Sequence, residues 1–383
     1  MSPRDALLML GLAVALAATS GCAASGTDSS GEAYYSGRPD EAERRLLSLI
    51  ERDPESRALA FNELGIIALD RRDLDLAYQR FLEADRVMGA FTSTDLQEVG
   101  AIVGPESSKI WRGDPHEKAM NAYYLGIVSL LRGVDDNALA GFKNAIFVDS
   151  SLAEAYECDF APAWFLEGWC YRRLGDESMA TRSLARAREL APSCAALAEG
   201  NHGNLVVVVD VGRGPTKRSV GAHGEAISFV EHAGDSGPIE VELDGRPLGH
   251  AELAGDLFFQ ATTRGGRVFD YVLAGKAIYK SAAHDAGLFT ILHSDHVKKQ
   301  RRNATFLAGF ALLLSSFLMN AEADSRHWTT LPAGIQLFRA TVPPGRHEIR
   351  IAPADGWHVA GPTTQTIDVP SDGDVFVWQR VLP

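Results

Sequence analysis

Cysteine is scarce in this chain, four in 383 residues, which rules out a disulfide scaffold. None of the four stands in CxxC spacing, so no structural zinc site is expected. Cys22 apart, Cys158, Cys170 and Cys194 are an odd set. At most one disulfide, Cys158–Cys170, joins them in an oxidising compartment; otherwise they are small buried hydrophobes. Positive charge is also thin. Lysine and arginine number 37 against 50 acids, for a net charge of −13, which excludes nucleic acid as a partner. The basic cluster "KKQRR" at 298–302 reads as a solvated helix end. Long apolar runs are missing too. The run Phe306–Met319 holds 14 apolar or small residues, about 21 Å as a helix against a bilayer core of roughly 30 Å. It reads as a helix buried against a sheet or in an assembly interface, with membrane insertion as the alternative. No G-x-S-x-G, H-E-x-x-H or paired-carboxylate signature occurs, so no enzyme activity and no cofactor are expected.

What is present begins with "MSPRDALLMLGLAVALAATSGC", residues 1–22: Arg4, an apolar core from Ala6 to Ala18, then small residues before Cys22. This is the layout of a secretion signal. "TSGC" resembles the bacterial lipobox, with Thr19 where leucine is usual and Asp5 diluting the positive start. The resemblance implies lipidation of Cys22 and a cell-envelope location. Plain secretion or a retained anchor is the alternative. Ala23 after the cysteine is similar to the pattern that sorts lipoproteins to the outer membrane, facing the periplasm. Residues 23–36 then read as a flexible tether.

Between 37 and 200 the chain repeats itself. Gly65, Gly126 and Gly168 each precede, by 12 residues, an alanine: Ala77, Ala138 and Ala180. Phe81, Phe142 and Leu184 follow those alanines. Small residues facing large ones at two-helix spacing resemble tetratricopeptide (TPR) repeats. The glycines are 61 and 42 residues apart, so insertions are expected near 90–113 and 151–158. The resemblance implies a superhelix whose groove is lined by the first helix of each repeat. Projection puts Asn62, Ile66, Tyr123, Ile127, Phe165, Trp169 and Arg172 in that groove, where they suit a protein or peptide partner. Aromatics at this spacing equally suit packing between repeats.

From 201 to 383 the pattern is β-rich. "LVVVVDVG" reads as a buried strand and "DGRP" at 244–247 as a turn. "GRGPTKRS" fails as a phosphate loop: no glycine precedes Lys217, Pro215 removes an N–H, and strand-like residues follow. Helical segments are expected at about 267–293 and 299–321. The fold class is therefore α+β, an all-α TPR superhelix followed by a β-rich domain with two inserted helices. "VPPGRHEIRI" at 342–351 resembles the hairpin of PEGA modules. The whole resembles a group of bacterial TPR lipoproteins, which implies architecture and surface location but no reaction. The expected function is a non-catalytic envelope scaffold that binds protein through its groove. An oligomeric envelope component using 306–319, a possible homo-oligomer, is the second reading. A hydrolase at "DSRHWTTLPAG", 324–334, pairing Asp324 with His327, is the third. His293 and His296 in "HSDH", around Asp295, are the nearest approach to a metal site and lack a third ligand.

Overall fold

The computed structural model describes residues 27–89, 110–148, 158–220, 226–232, 236–263 and 323–383. Cys22, "KKQRR", the "HSDH" cluster, the two expected inserted helices and the run 306–319 lie outside these residues, as do most of both expected insertions.

The described chain is mixed α and β. Helices α1 (Asp28–Tyr35) and α2 (Pro39–Arg52) precede three antiparallel hairpins: α3 (Arg57–Asp70) with α4 (Leu74–Gly89), α5 (Pro115–Leu131) with α6 (Asp135–Val148), and α7 (Ala161–Arg173) with α8 (Glu177–Leu190). Local chemistry starts and stops them. Asp114 caps α5 in a capping box with Glu117, whose carboxylate accepts the Asp114 N–H at 2.7 Å, and Pro115 stands in the first turn. Asp176 accepts the Met179 N–H at the start of α8. Gly133 and Gly175 reverse the second and third hairpins at φ 73° and 82°, a left-handed geometry that glycine adopts without steric cost.

The repeat signature is a packing rule. A Cβ on Gly65 would meet the Phe81 ring at 2.6 Å, and one on Gly126 the Phe142 ring at 2.6 Å. Gly168 stands in the same way against Leu184, and Ala77, Ala138 and Ala180 have no exposed surface. Close helix crossing fixes those residues, as expected of TPR-like hairpins. The expected tether differs. Residues 28–35 form α1, with Ala33 and Tyr34 buried, because Tyr34 donates to Asp70 at 2.6 Å and Tyr35 to the carbonyls of Thr329 and Leu331.

The sheet comprises β1 (Leu205–Val211), β4 (Ile239–Leu243), β5 (Arg246–Asp256), β6 (Gly334–Ala340), β7 (Gly345–Ala352), β8 (His358–Ala360), β9 (Thr364–Val369) and β10 (Val375–Leu382). Their order is β8-β10-β1-β6-β5-β4-β7-β9, and a separate ribbon joins β2 (Thr216–Val220) to β3 (Ala226–Val230). Only β1 and β10 run parallel; the other pairs are antiparallel. Helix α9 (Leu257–Thr263) follows β5. The "DGRP" turn joins β4 to β5 with Asp244 and Gly245 both left-handed, φ 51° and 74°, the I′ geometry that matches strand twist. The expected hairpin at "VPPGRHEIRI" does not form. β6 pairs with β1 and β5, whereas β7 pairs with β4 and β9, so the two prolines link strands that are not neighbours.

β1 is buried on both faces, which is why it reads as unbroken valine. Leu205, Val207 and Val209 join Val241, Ile349, Ile351 and Val381 in one core as the sheet curls over itself. Val206 and Val208 join a second core that runs without a break from Ala33 of α1 through all three hairpins to Leu382 of β10. Array and sheet thus share one core. Among the described residues the expected Cys158–Cys170 disulfide is not made. Cys170 and Cys194 are buried among apolar neighbours, and burial pushes the Cys194 thiol up to about 11.

Gly65→Ala should cost about 1–3 kcal/mol by overpacking against Phe81, while Gly89→Ala, with nothing near its Cβ, should be close to neutral. Denaturant unfolding of both variants checks this, and equal midpoints would contradict the packing rule.

Candidate functional site

Strand alternation decides what meets the helices. Register aligns Arg339, Leu337 and Ile335 of β6 with Val206, Val208 and Asp210 of β1, and the last two with Trp378 and Arg380 of β10. These side chains face the array. A glutamine at 379, pointing the other way, donates to the Ala360 carbonyl.

The residues expected to line a partner groove are covered within the chain, some by the sheet and some by neighbouring helices of the array. Asn62, Ile66, Tyr123, Ile127, Phe165 and Trp169 all have 0% exposure, and Arg172 is half-buried. The Trp169 ring lies 5.6 Å from Phe376 and its Nε1 donates to Asp374 at 2.9 Å. The Arg339 guanidinium lies over Phe165 at 5.9 Å. Asn62 accepts from Asn121 at 2.8 Å. Six of the seven are therefore not an open groove in this chain, and Trp169 and Phe165 meet the chain's own β residues; Arg172 stays half-buried.

An irregular segment, Ala323–Ala333, completes the covering and is held as an extended ligand would be. The N–H of Trp328 donates to Glu117 at 2.9 Å, and the N–H and hydroxyl of Thr329 donate to Glu63 at 2.6 and 2.7 Å. The Arg326 carbonyl accepts from Trp111 Nε1 and Lys217, and the Thr330 carbonyl from Arg380. The Trp328 ring packs 5.7 Å from Tyr124 and 6.1 Å from Phe81. Main-chain groups of one segment thus meet side chains from α1, α3, α5, β2 and β10. The expected acid–base pair within it is not made. Asp324 holds Arg326 at 2.7 Å, while His327, buried, shares its Nδ1 with the Ser325 carbonyl at 3.0 Å. The motif fixes the junction of array and sheet.

Buried charge is concentrated here. Arg380 is fully buried among Tyr34, Tyr35, Tyr124, Asp70 and Asp210. Asp210 accepts from Tyr124 at 2.7 Å and from Trp378 Nε1 at 3.1 Å. Burial raises the Asp70 and Asp210 carboxyls to about 6 against the pull of Arg380, and it raises Glu63 to about 7. A second cluster sits at Lys217, whose ammonium meets Asp114 at 2.8 Å and Glu117 at 2.7 Å with almost no exposure. Burial pushes the Glu117 carboxyl up, but the Lys217 and His116 charges and the Asp114 N–H together outweigh it and hold the carboxyl below its usual range.

Sequence reading missed the charged members, and two had a visible signal. Asp210 interrupts a run of valines in a strand buried on both faces. Arg72 stands where the other hairpins carry Gly133 and Gly175, and it holds a left-handed φ of 62°. Its guanidinium donates to the Trp378 carbonyl at 2.5 Å and lies 5.4 Å from the Trp378 ring. No single signal marks Glu63, Glu117 or Arg380, because Thr329 lies 266 residues from Glu63, Trp328 211 from Glu117 and Tyr124 256 from Arg380.

Among the described residues no group of three histidines, cysteines or acids is placed to hold a metal, and no helix is long and apolar enough to cross a membrane. No protein-family model and no curated sequence matches the chain. Among solved structures it is similar to MamA in one crystal structure (17% identity, TM-score 0.30, covering 42% of this chain and 73% of that one). A second MamA crystal structure gives 20%, 0.29, 42% and 68% in the same order. BtubC from P. vanneervenii gives 20%, 0.29, 40% and 57%.

Glu63 sets a pH dependence. Its folded value, about 7, lies above the ordinary 4.5 of an unfolded glutamate, so folding takes up a proton. The stability it supplies is full below about 4.5 and lost as pH rises through 7, on the order of 3 kcal/mol in all. Glu63→Gln should shrink the difference in unfolding free energy between mildly acidic and mildly alkaline solution. An unchanged difference in that variant would remove Glu63 from the account.

Proposed function

We propose that the chain is a non-catalytic protein-interaction scaffold of the bacterial envelope, anchored by lipid on Cys22, whose TPR-type array takes its partner on the outside of the body. The observation that carries the reading is the filled inner face. Six of the seven residues suited to a partner are already fully buried, Trp169 and Phe165 against the sheet and its flanking Asp374, and Asn62 and Tyr123 against neighbouring helices of the array. A partner displacing that segment would have to leave Glu63, Glu117 and Arg380 buried without their hydrogen-bond partners, at about 1–3 kcal/mol or more for each group. Among the described residues the second helices of the hairpins carry no such covering: Glu83, Asn144 and Arg182 are exposed on α4, α6 and α8. The lipid anchor rests on the "TSGC" resemblance and the apolar stretch before it.

Two experiments test the halves of this reading. Photo-crosslinking residues at Glu83, Asn144 and Arg182 should capture one and the same envelope protein, whereas residues replacing Trp169 or Tyr123 should crosslink only within the chain. Capture of a partner from the Trp169 position alone would return the function to the inner face. Labelling with radioactive palmitate should mark the wild type and not Cys22→Ser, and the variant should leave the membrane fraction. Equal labelling of both would remove the lipid anchor.

A further inference from the structure

The last hairpin, the linker that follows it and strand β6 enclose a cavity of about 210 Å³. Its walls carry Arg172 of α7, Arg188 of α8 and Arg339 of β6, against a single acid, Glu199. Phe165, Leu184 and Leu197 supply the apolar side. In a chain of net charge −13 this is a concentration of the rarer sign.

Arg172 and Arg188 stand in the last turns of their helices, where the helix dipole favours a cation, so their positions alone identify no ligand. Arg339 is different. It lies in a strand and is only 7% exposed. Its Nε donates to the Gly203 carbonyl at 3.1 Å and its plane rests on Phe165. Its two terminal nitrogens have no hydrogen-bond partner among the described residues. Burial, with the Arg172 charge close by, pulls its ionisation down to about 10. The guanidinium is thus largely buried, between the like charge of Arg172 and the carboxylate of Asp374, and its four terminal N–H donors make no hydrogen bond among the described residues. Arg172 has only a long contact, 3.7 Å, to the exposed Glu177, and Arg188 makes no ion pair among the described residues.

From this geometry we infer that the cavity is a binding site for a small phosphate-class dianion, free phosphate or a small phosphate monoester. Guanidinium forks match tetrahedral oxyanions with paired N–H donors, and three of them, offset by one carboxylate, suit a doubly charged ligand. The volume is below the roughly 300 Å³ at which drug-sized sites begin, so the ligand is small. Phe165 and the leucines give an ester group an apolar surface.

Calorimetric titration of the purified chain with inorganic phosphate and with phenyl phosphate, at fixed ionic strength set by chloride, tests the site. Both should bind, and Arg188→Gln and Arg339→Gln should each weaken binding by about tenfold or more, the loss expected for one charge-assisted contact. Phenyl phosphate binding more tightly than phosphate assigns a monoester, and equal affinity assigns free phosphate. Arg188 is half-buried and carries no structural contact, so its variant keeps the test valid if Arg339→Gln fails to fold. No heat with either probe at millimolar concentration, or an unchanged affinity in Arg188→Gln, overturns the proposal.

Discussion

Everything at the junction of array and sheet follows from one buried cation. Arg380 has no exposed surface, and moving such a charge out of water costs several kcal/mol unless neighbours replace the water. The replacement comes from three separate parts of the chain: Asp70 at the end of α3, Asp210 near the end of β1, and the tyrosines of α1 and α5. None of these stabilises the charge unless the array, the sheet and the N-terminal helix are all in place. Two arginines, Arg72 and Arg380, face three carboxyls, Glu63, Asp70 and Asp210. Burial outweighs the pull of Arg380 at all three, leaving Glu63 at about 7 and the two aspartates at about 6.

This arrangement changes what a repeat array does here. The faces of the first helices are built for recognition: aromatic platforms, carboxylates that accept main-chain amides, and hydroxyls that donate to carbonyls. The ligand is intramolecular. Segment 323–333 supplies main-chain groups, and β10 supplies Phe376, Trp378 and Arg380. Because both come from the same chain, no translational freedom is lost on binding, and charges that would be costly at a transient interface are kept permanently dry.

The helical hairpins were legible because their determinants are local. Gly65 and Phe81 lie 16 residues apart, and their spacing states the contact they make. The "DGRP" turn was legible for the same reason. What covers the expected groove residues was not legible, because part of it lies some 200 residues downstream. Trp169 finds Asp374, and Glu117 finds Trp328, only after the sheet has formed. The "VPPGRHEIRI" hairpin failed for a related reason: adjacency in sequence suggested pairing, whereas the curl of the sheet sends β7 to β4 and β9. Burial of α1 was signalled only by the tyrosine pair in a stretch otherwise small and polar.

The central claim is that segment 323–333 is a permanent part of the core and not a removable plug. Native-state hydrogen exchange at the Trp328 and Thr329 amides tests this most directly, because both donate to buried carboxylates and neither belongs to a helix or strand. The account predicts that they exchange only through global unfolding, with the same free energy as the β1 amides. Exchange through a local opening several kcal/mol cheaper than global unfolding, while β1 stays protected, would show the segment leaving the array and would contradict it.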